Sequence, residues 1–548
     1  MVITDVPAIR RQVARIISEP LLFLTVTGIV IIVAIFIVYP VLKVASYPGL
    51  EDFAAAFANS RWQKAVVNSA FITFVSTLSA TLVGFVFAFT LAYVDTGWRR
   101  LFKFVAILPI VSPSFILGLA YILLFGRSGI ITQKVLGLSL DMYGWQGIWF
   151  VQTITYFPYA YVVLKGVLRG VTPSLEYAGH NLGAGHWRTF KDIVWPLALP
   201  GTCGAALVVG MMVLADFGNP LLIGGNFVML PTEAYMQIIG WYNLSAATVL
   251  ALTLLVPALV FFLAQHYWLS RGSYITTTGK ESSLQRMLLP PPVQKALEFF
   301  CLAVSAVVLL VYGVLFLGAF CKVWGYDWSL TLANMEYVWG RKTEIINSLH
   351  YSFLASLLAA GFSLIMAYTV QRKQTGINRG LDFIAVLPGA LPGMFMGIGY
   401  LMAFNKGLLK LTGSEWVIIL ALAFWNLPTG YAAATAGLQQ ISKSLEEAAA
   451  NLGSNSFRTF RDIILPLLFL PAASGFVVAF LRSLTCLSVV VFLVTPRTVV
   501  GTISILGLVG DGRWSSAAAF TVVLISLAFS VLYAAEYILG KQGKSLDL

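Results

Sequence analysis

Residues Leu175–Pro196 read LEYAGHNLGAGHWRTFKDIVWP, and Leu445–Pro466 read LEEAAANLGSNSFRTFRDIILP; 12 of the 22 positions are identical. The copies lie 270 residues apart and each sits between apolar runs. The chain therefore holds one polar device twice, which is the mark of an internal repeat. The repeat continues upstream. Asn68-Ser69 matches Asn347-Ser348, and AILPIVSPSFILGLAYILLF from Ala106 matches AVLPGALPGMFMGIGYLMAF from Ala385, both at an offset of 279. Pro158 and Tyr161 match Pro428 and Tyr431 at 270. The nine-residue change falls in a loop, where added length costs little closure entropy.

The apolar runs decide the class. Of 548 residues, 59% are hydrophobic and 11% charged, against about 25% charged in soluble domains. Mean hydropathy is +0.85. Crossing a bilayer takes about 20 apolar residues per helix, and lipid offers no partner for unpaired backbone groups, so the spans must be helical. Twelve are expected, near 21–43, 66–93, 101–125, 146–168, 194–214, 246–269, 296–320, 347–370, 381–404, 416–438, 464–484 and 515–540. Arg482 and several turn signals interrupt the region 464–514. The expected fold is an all-α integral membrane protein of two parallel six-helix repeats: a first half at 1–269, a polar linker at 270–295 ending in Pro290-Pro291-Pro292, and a second half at 296–548.

Charge orients the spans. The net charge of +12 does not read as a nucleic-acid surface, because the basic residues lie between apolar runs. With the N-terminus inside, 22 of the 35 Lys and Arg residues fall in cytoplasmic segments, as the positive-inside rule requires. Both termini are then cytoplasmic. Arg10, Arg11 and Arg15 precede a first run too long for a signal-peptide core, so a retained span is expected there. Trp145, Trp149 and Trp268 fit interfacial anchors.

Enzyme chemistry finds no support in the sequence. The four cysteines (Cys203, Cys301, Cys321, Cys486) form no CxxC, and the four histidines form no HExxH. A phosphate-binding Walker A loop is missing; Gly543-Lys544-Ser545 comes nearest, but Ile538 stands where the first glycine belongs.

The repeated loop suits a docking job. Ser174 or Ser444 can cap a helix start, and acidic residues favour its positive end. Alanines allow close approach, and Gly183 and Gly453 can turn the chain with left-handed backbone angles. The second copy resembles the EAA loop of ABC-importer permeases: Glu447-Ala448-Ala449, three residues, Gly453, nine residues, then Ile463, Leu465 and Pro466. The resemblance implies a type I ABC importer permease fold and a short coupling helix seated in a separate ATPase subunit. It implies coupling roles for Glu176, Ala178 and Gly183 in the first copy and for Glu446, Glu447, Ala448, Ala449 and Gly453 in the second. The first copy departs from the pattern, with Tyr177, Gly179 and Trp195 in place of the glutamate, the second alanine and the leucine; Glu176 stands one place earlier. Implied partners are a homodimer of ATPase subunits that binds ATP and magnesium, an extracytoplasmic binding protein, and the lipid bilayer. No cofactor and no metal site is expected in this chain.

Fused two-half permeases of this length, with segments such as ADFGNPLLIGGNF (Ala215–Phe227) and FLRSLTCLSVVVFLVTP (Phe480–Pro496), resemble the ferric-iron importer group. Relatives of that group carry phosphonates, sugar phosphates or thiamine. Ionisable groups at membrane depth usually face a cavity or a partner, which singles out Asp216 and Arg482; with Asn219 and Cys486 they are the candidate pathway residues. Asp216 and Cys486 are repeat equivalents, so the pathway would be charge-asymmetric. Snorkelling is the alternative for Arg482, and a turn before Gly218-Asn219-Pro220 the alternative for Asp216. Glu233 and Tyr235 offer the nearest hard oxygen donors for ferric ion. Gly389, Gly393 and Gly397 read as a helix-packing face, and Pro109, Pro113, Pro388 and Pro392 as paired kinks. A twelve-span secondary transporter is the rival; it needs a midplane carboxylate, whereas Glu298 and Glu536 lie near span ends.

Overall fold

The computed structural model describes residues 20–137, 142–269, 289–373, 375–406 and 409–540. The described residues are almost entirely helical, with one two-stranded antiparallel hairpin, β1 (Cys321–Val323) and β2 (Asp327–Leu330). Among the described residues, eight helices are long and apolar enough to cross a membrane, and three bent helix pairs bring the number to as many as eleven. The expected fourth span is the helix Trp145–Gly170. It carries Gln152, Lys165 and Arg169 and is less apolar, as a helix whose surface is largely buried in protein can be. Of the linker expected at 270–295, residues 270–288 lie outside the described residues, as do those before 20, and residues 291–295 already belong to the helix Pro291–Phe320.

The bends fall at the prolines and turn signals. Asn378–Gly389 and Gly393–Phe404 meet at 107° around Pro388 and Pro392. In the first half, the helices Arg99–Val111 and Ile116–Phe125 break around the matching Pro113, while Pro109 lies inside the first of them. The pairs Glu415–Trp425 with Leu427–Gln440, and Ser456–Leu467 with Phe469–Leu484, bend by 43° and 68°. The interrupted region then continues as a short apolar helix, Gly501–Gly510.

The chain folds into two compact units whose membership crosses the sequence halves. One unit is built on residues 343–503 and includes the N-terminal helix Pro20–Ala45. Pro40 has no N–H, so the Phe36 carbonyl four residues earlier loses its helical donor. A π-helical turn, Ala34–Val38, precedes the proline, and the Tyr400 hydroxyl donates to the Phe36 carbonyl at 2.7 Å. Phe36 also stacks on Phe424 with ring centroids 5.1 Å apart. In this unit Gly393 and Gly397 admit the segment after the bent helix: a Cβ on Gly397 would lie 2.5 Å from the Val489 carbonyl, and one on Gly393 would collide with Ser488. The small-residue face therefore serves close packing at those two positions, while Gly389 has only ordinary contacts with Pro428.

The other unit is built on residues 49–342 and 504–526. The helix Ser60–Tyr93 packs along Trp145–Gly170 and Trp195–Leu214. Pro291–Phe320, first helix of the second sequence half, joins this unit: Cys301 donates to Thr90 at 3.4 Å, and Tyr312 shares a hydrogen bond with Ser112. Trp145 and Trp149 are exposed in part, and the Trp149 indole donates to Ser79 at 3.0 Å. The side chain of Trp268 lies outside the described residues. All four cysteines are free thiols, and only Cys203 is exposed.

Candidate functional site

Both copies of the repeated loop fold in the same way. Pro173–Asn181 and Lys443–Asn451 are nine-residue helices. The caps fall two residues earlier than the sequence suggested. Ser442, not Ser444, begins the second helix, and its hydroxyl accepts from the Ser444 N–H at 3.3 Å. Thr172, not Ser174, begins the first, with no side-chain cap bond. The reason is Pro173 at the first helical turn, a position where proline's missing N–H costs nothing.

Both helices end in the same Schellman turn. Gly183 donates to the His180 carbonyl at 2.8 Å and Ala184 to Gly179 at 3.0 Å; Gly453 donates to Ala450 and Ser454 to Ala449, both at 2.9 Å. Gly183 and Gly453 have φ of +86° and +82°, where a side chain would be strained. From there the chain enters short helices at His186–Thr189 and Ser456–Thr459, then π-helical turns at Phe190–Val194 and Phe460–Ile464. Pro196 and Pro466 follow the π turns, as Pro40 follows the one in the N-terminal helix.

The acidic residues split into two roles. Glu176 and Glu446 turn inward. The Tyr93 hydroxyl donates to Glu176 at 2.7 Å, and Glu176 is buried. Arg372 pairs with Glu446 at 3.2 Å, and Tyr368 donates to it at 3.3 Å. Arg372, only 6% exposed, also donates to the carbonyls of Leu438 and Ile441. It thereby caps the preceding helix and braces the loop in one fork. Glu447 and Ala448 are exposed, as is Ala178; Ala449 is buried against the unit.

Sequence reasoning missed the apolar knobs on the outer side of each loop. Leu182 and Leu452 are 90% and 89% exposed. Leu175 and Trp187 flank the first, and Leu445 and Phe457 the second, all exposed. Matched apolar side chains held in solvent on a rigid turn are the pattern of a docking surface. The signal was in the sequence: each knob leucine directly precedes the turning glycine.

The four candidate pathway residues are engaged locally. Asp216 is buried and accepts from Gln152 at 3.0 Å and from the Asn219 side chain at 3.0 Å. Its other oxygen receives the Asn219 N–H at 3.4 Å, and Asn219 in turn accepts from the Gly118 N–H at 3.2 Å. Asp216 therefore has both a local turn contact, with Asn219, and a contact across to the helix Trp145–Gly170, with Gln152. Arg482 donates to Thr429 at 2.9 Å and lies over the Trp425 ring at 4.7 Å, both on the neighbouring bent helix pair. Cys486 is buried, and its carbonyl accepts from Thr502 at 3.0 Å. Glu233 is taken up by Arg61 at 2.8 Å and by Gln237 at 3.2 Å, and Tyr235 packs on Phe217; the two do not form a joint ligand pair. Among the described residues no three His, Cys, Asp or Glu side chains converge on a common point.

Comparison with known proteins agrees with the repeat. The family model described as binding-protein-dependent transport system inner membrane component matches twice, at residues 80–272 and 359–539. The ferric transport system permease protein FbpB of Actinobacillus pleuropneumoniae is 33% identical over 94% of this chain and 77% of its own length. The putative ferric transport system permease protein FbpB 1 of Haemophilus influenzae is 34% identical over 86% of this chain and 77% of its own. The putative 2-aminoethylphosphonate transport system permease protein PhnV of Salmonella paratyphi A is 26% identical over 36% of this chain and 76% of its own. With two matched loops, two family matches and a relative along nearly its whole length, the chain belongs to the inner-membrane components of binding-protein-dependent ABC importers, as a permease with both halves in one polypeptide.

Proposed function

We propose that this permease imports ferric iron, driven by two identical ATPase subunits that grip the segments 175–186 and 445–456 from the cytoplasm. A loaded binding protein delivers cargo from the other side. ATP and magnesium are held by the ATPases; the present chain moves the cargo and breaks no covalent bond. Both termini are cytoplasmic in this reading, which follows from the distribution of basic residues. The ATPase docking rests on one observation above others: two identical Schellman-ended helices, each anchored inward by a glutamate and presenting an apolar knob outward. The cargo assignment rests on the names of the two relatives that match most of the chain. An anionic cargo such as a phosphonate is the second reading, favoured by Arg482 and by the shorter match to the aminoethylphosphonate permease.

In the proposed cycle, ATP binding draws the ATPases together and moves the coupling helices, and hydrolysis resets them. Glu447 and Ala448 face the ATPase, while Glu176 and Glu446 transmit the motion into the helices behind. Reconstitution with the ATPase and binding protein tests this. Radioactive ferric iron should accumulate in an ATP-dependent way, and Leu182→Asp with Leu452→Asp should release the ATPase on purification. Uptake of aminoethylphosphonate with no uptake of iron would reject the cargo, and unchanged ATPase retention in the double variant would reject the docking surface.

A further inference from the structure

The first coupling loop carries two histidines that the second lacks. His180 stands in the last turn of Pro173–Asn181, and His186 opens the short helix beyond the glycine turn. Their repeat equivalents are Ala450 and Ser456. The turn itself does not need them. The second loop makes the same Schellman bonds around Gly453 with an alanine and a serine in their places. Nor do they brace the loop inward, which is done by Glu176 and Tyr93.

The fold brings the two imidazoles together. Their ring centroids lie 5.9 Å apart, with 33° between the planes. Gly183 makes this possible, because its φ of +86° folds the chain back between them. Nδ1 of His180 lies 3.1 Å from the Ala184 carbonyl. A carbonyl only accepts, so Nδ1 donates and the Nε2 lone pair is left over. Metal-bound histidines almost always have this arrangement, one ring nitrogen donating to a carbonyl or carboxylate while the other ligates. Among the described residues no hydrogen bond or ion pair engages either ring nitrogen of His186. His180 is exposed and His186 half-buried, so water and solutes reach both. With nitrogen–metal bonds of about 2.0–2.1 Å, two imidazoles on one tetrahedral ion have ring centres about 5 Å apart. Small rotations of these side chains close the difference.

We infer that His180 and His186 form a two-imidazole chelate for one divalent transition-metal ion, with water in its remaining positions. Imidazole suits zinc, copper, nickel and iron. Magnesium and calcium prefer oxygen ligands and should not compete. The ion joins the end of the coupling helix to the helix after it and stiffens the turn that presents Leu182. That consequence rests on the docking reading; the binding does not, and is measured on the permease alone. The full-length permease, purified without a histidine tag and placed in nanodiscs, is titrated with nickel and with zinc. Calorimetry should show one saturable site per chain, unmoved by excess magnesium. Electron paramagnetic resonance with one equivalent of copper(II) should show two nitrogen ligands. His180→Ala and His186→Ser copy the second loop and so keep the turn. Each should weaken binding tenfold or more and leave one nitrogen on the copper. His350→Gln, which removes a histidine elsewhere, should change nothing. Three results would overturn the assignment: no saturable binding, affinity and nitrogen count unchanged in both loop variants, or an equal loss in His350→Gln. Should Leu182→Asp with Leu452→Asp retain the ATPase while the metal binds as described, the docking reading fails and the metal site stands.

Discussion

Tyr93 and Arg372 stand at the same repeat position, 279 residues apart, and each holds the glutamate of its own loop helix: Tyr93 to Glu176 at 2.7 Å, Arg372 to Glu446 at 3.2 Å. One brace includes a neutral hydroxyl, the other a guanidinium that also ties down two carbonyls. The repeated scaffold is thus matched in backbone and unequal in the chemistry that stiffens it.

That difference is measurable. Tyr93→Phe removes one hydrogen bond to a carboxylate, worth about 1.5–3 kcal/mol. Arg372→Met leaves Glu446 without its cation and two carbonyls without a donor, and breaking a buried pair costs roughly 3–5 kcal/mol. Hydrogen exchange of residues 438–452 should accelerate in Arg372→Met far more than that of 168–182 does in Tyr93→Phe. Arg372→Lys should fall between, because an ammonium cannot reproduce the fork. Equal exchange in the three variants would contradict this.

Gly453 turns the chain with open space where a Cβ would stand, so substitution there acts through backbone strain alone. An L-residue in the left-handed region costs roughly 1–2 kcal/mol, and asparagine tolerates it best. Gly453→Asn should keep most ATP-coupled uptake and Gly453→Val lose most. Gly453→Asp adds a negative charge at the negative end of a helix, and should uncouple ATP hydrolysis from uptake more than asparagine does. The ratio of ATP hydrolysed to cargo moved, measured in proteoliposomes, orders the three.

Arg482 is held by Thr429 and the Trp425 ring across a 43° helix bend. A cation–π contact of this kind is worth about 0.5–2 kcal/mol. In a double-mutant cycle, Arg482→Gln and Trp425→Leu should show a coupling energy of that size by thermal unfolding. Additive losses would mean that the two side chains act independently.

The hairpin has an acid limit. The Ser329 hydroxyl and N–H and the Lys322 ammonium hold the Asp327 carboxyl down at about 2, from an ordinary 3.8. Its depressed value means that the carboxylate's contribution is present in full above about pH 4 and is lost as pH falls toward 2. Fluorescence of Trp324 and Trp328, whose rings lie 4.8 Å apart, should change in that window, and Asp327→Asn should flatten the change.

Much of this was written in the repeat. The offsets of 279 and 270 place the matched breaks, the glycine turns and both loop helices, because proline and glycine act on the backbone locally. The helix caps were misplaced by two residues, since Pro173 and Lys443 already lie inside the helix. The braces at Tyr93 and Arg372 were not legible: they come from long helices whose ends reach the loops only in the fold. Arg482 looked ambiguous because its partners, Trp425 and Thr429, lie more than 50 residues away in sequence.

The place of Pro20–Ala45 among residues of the second half has a consequence for biogenesis. Tyr400, which satisfies the Phe36 carbonyl, leaves the ribosome 364 residues later. At about 5–20 residues per second, the first helix waits on the order of 20–70 s before its packing site is synthesised. It can wait because lipid tails are as apolar as the side chains it will meet. A gene cut between the halves would therefore yield two fragments, neither able to finish its own unit until the other has been inserted.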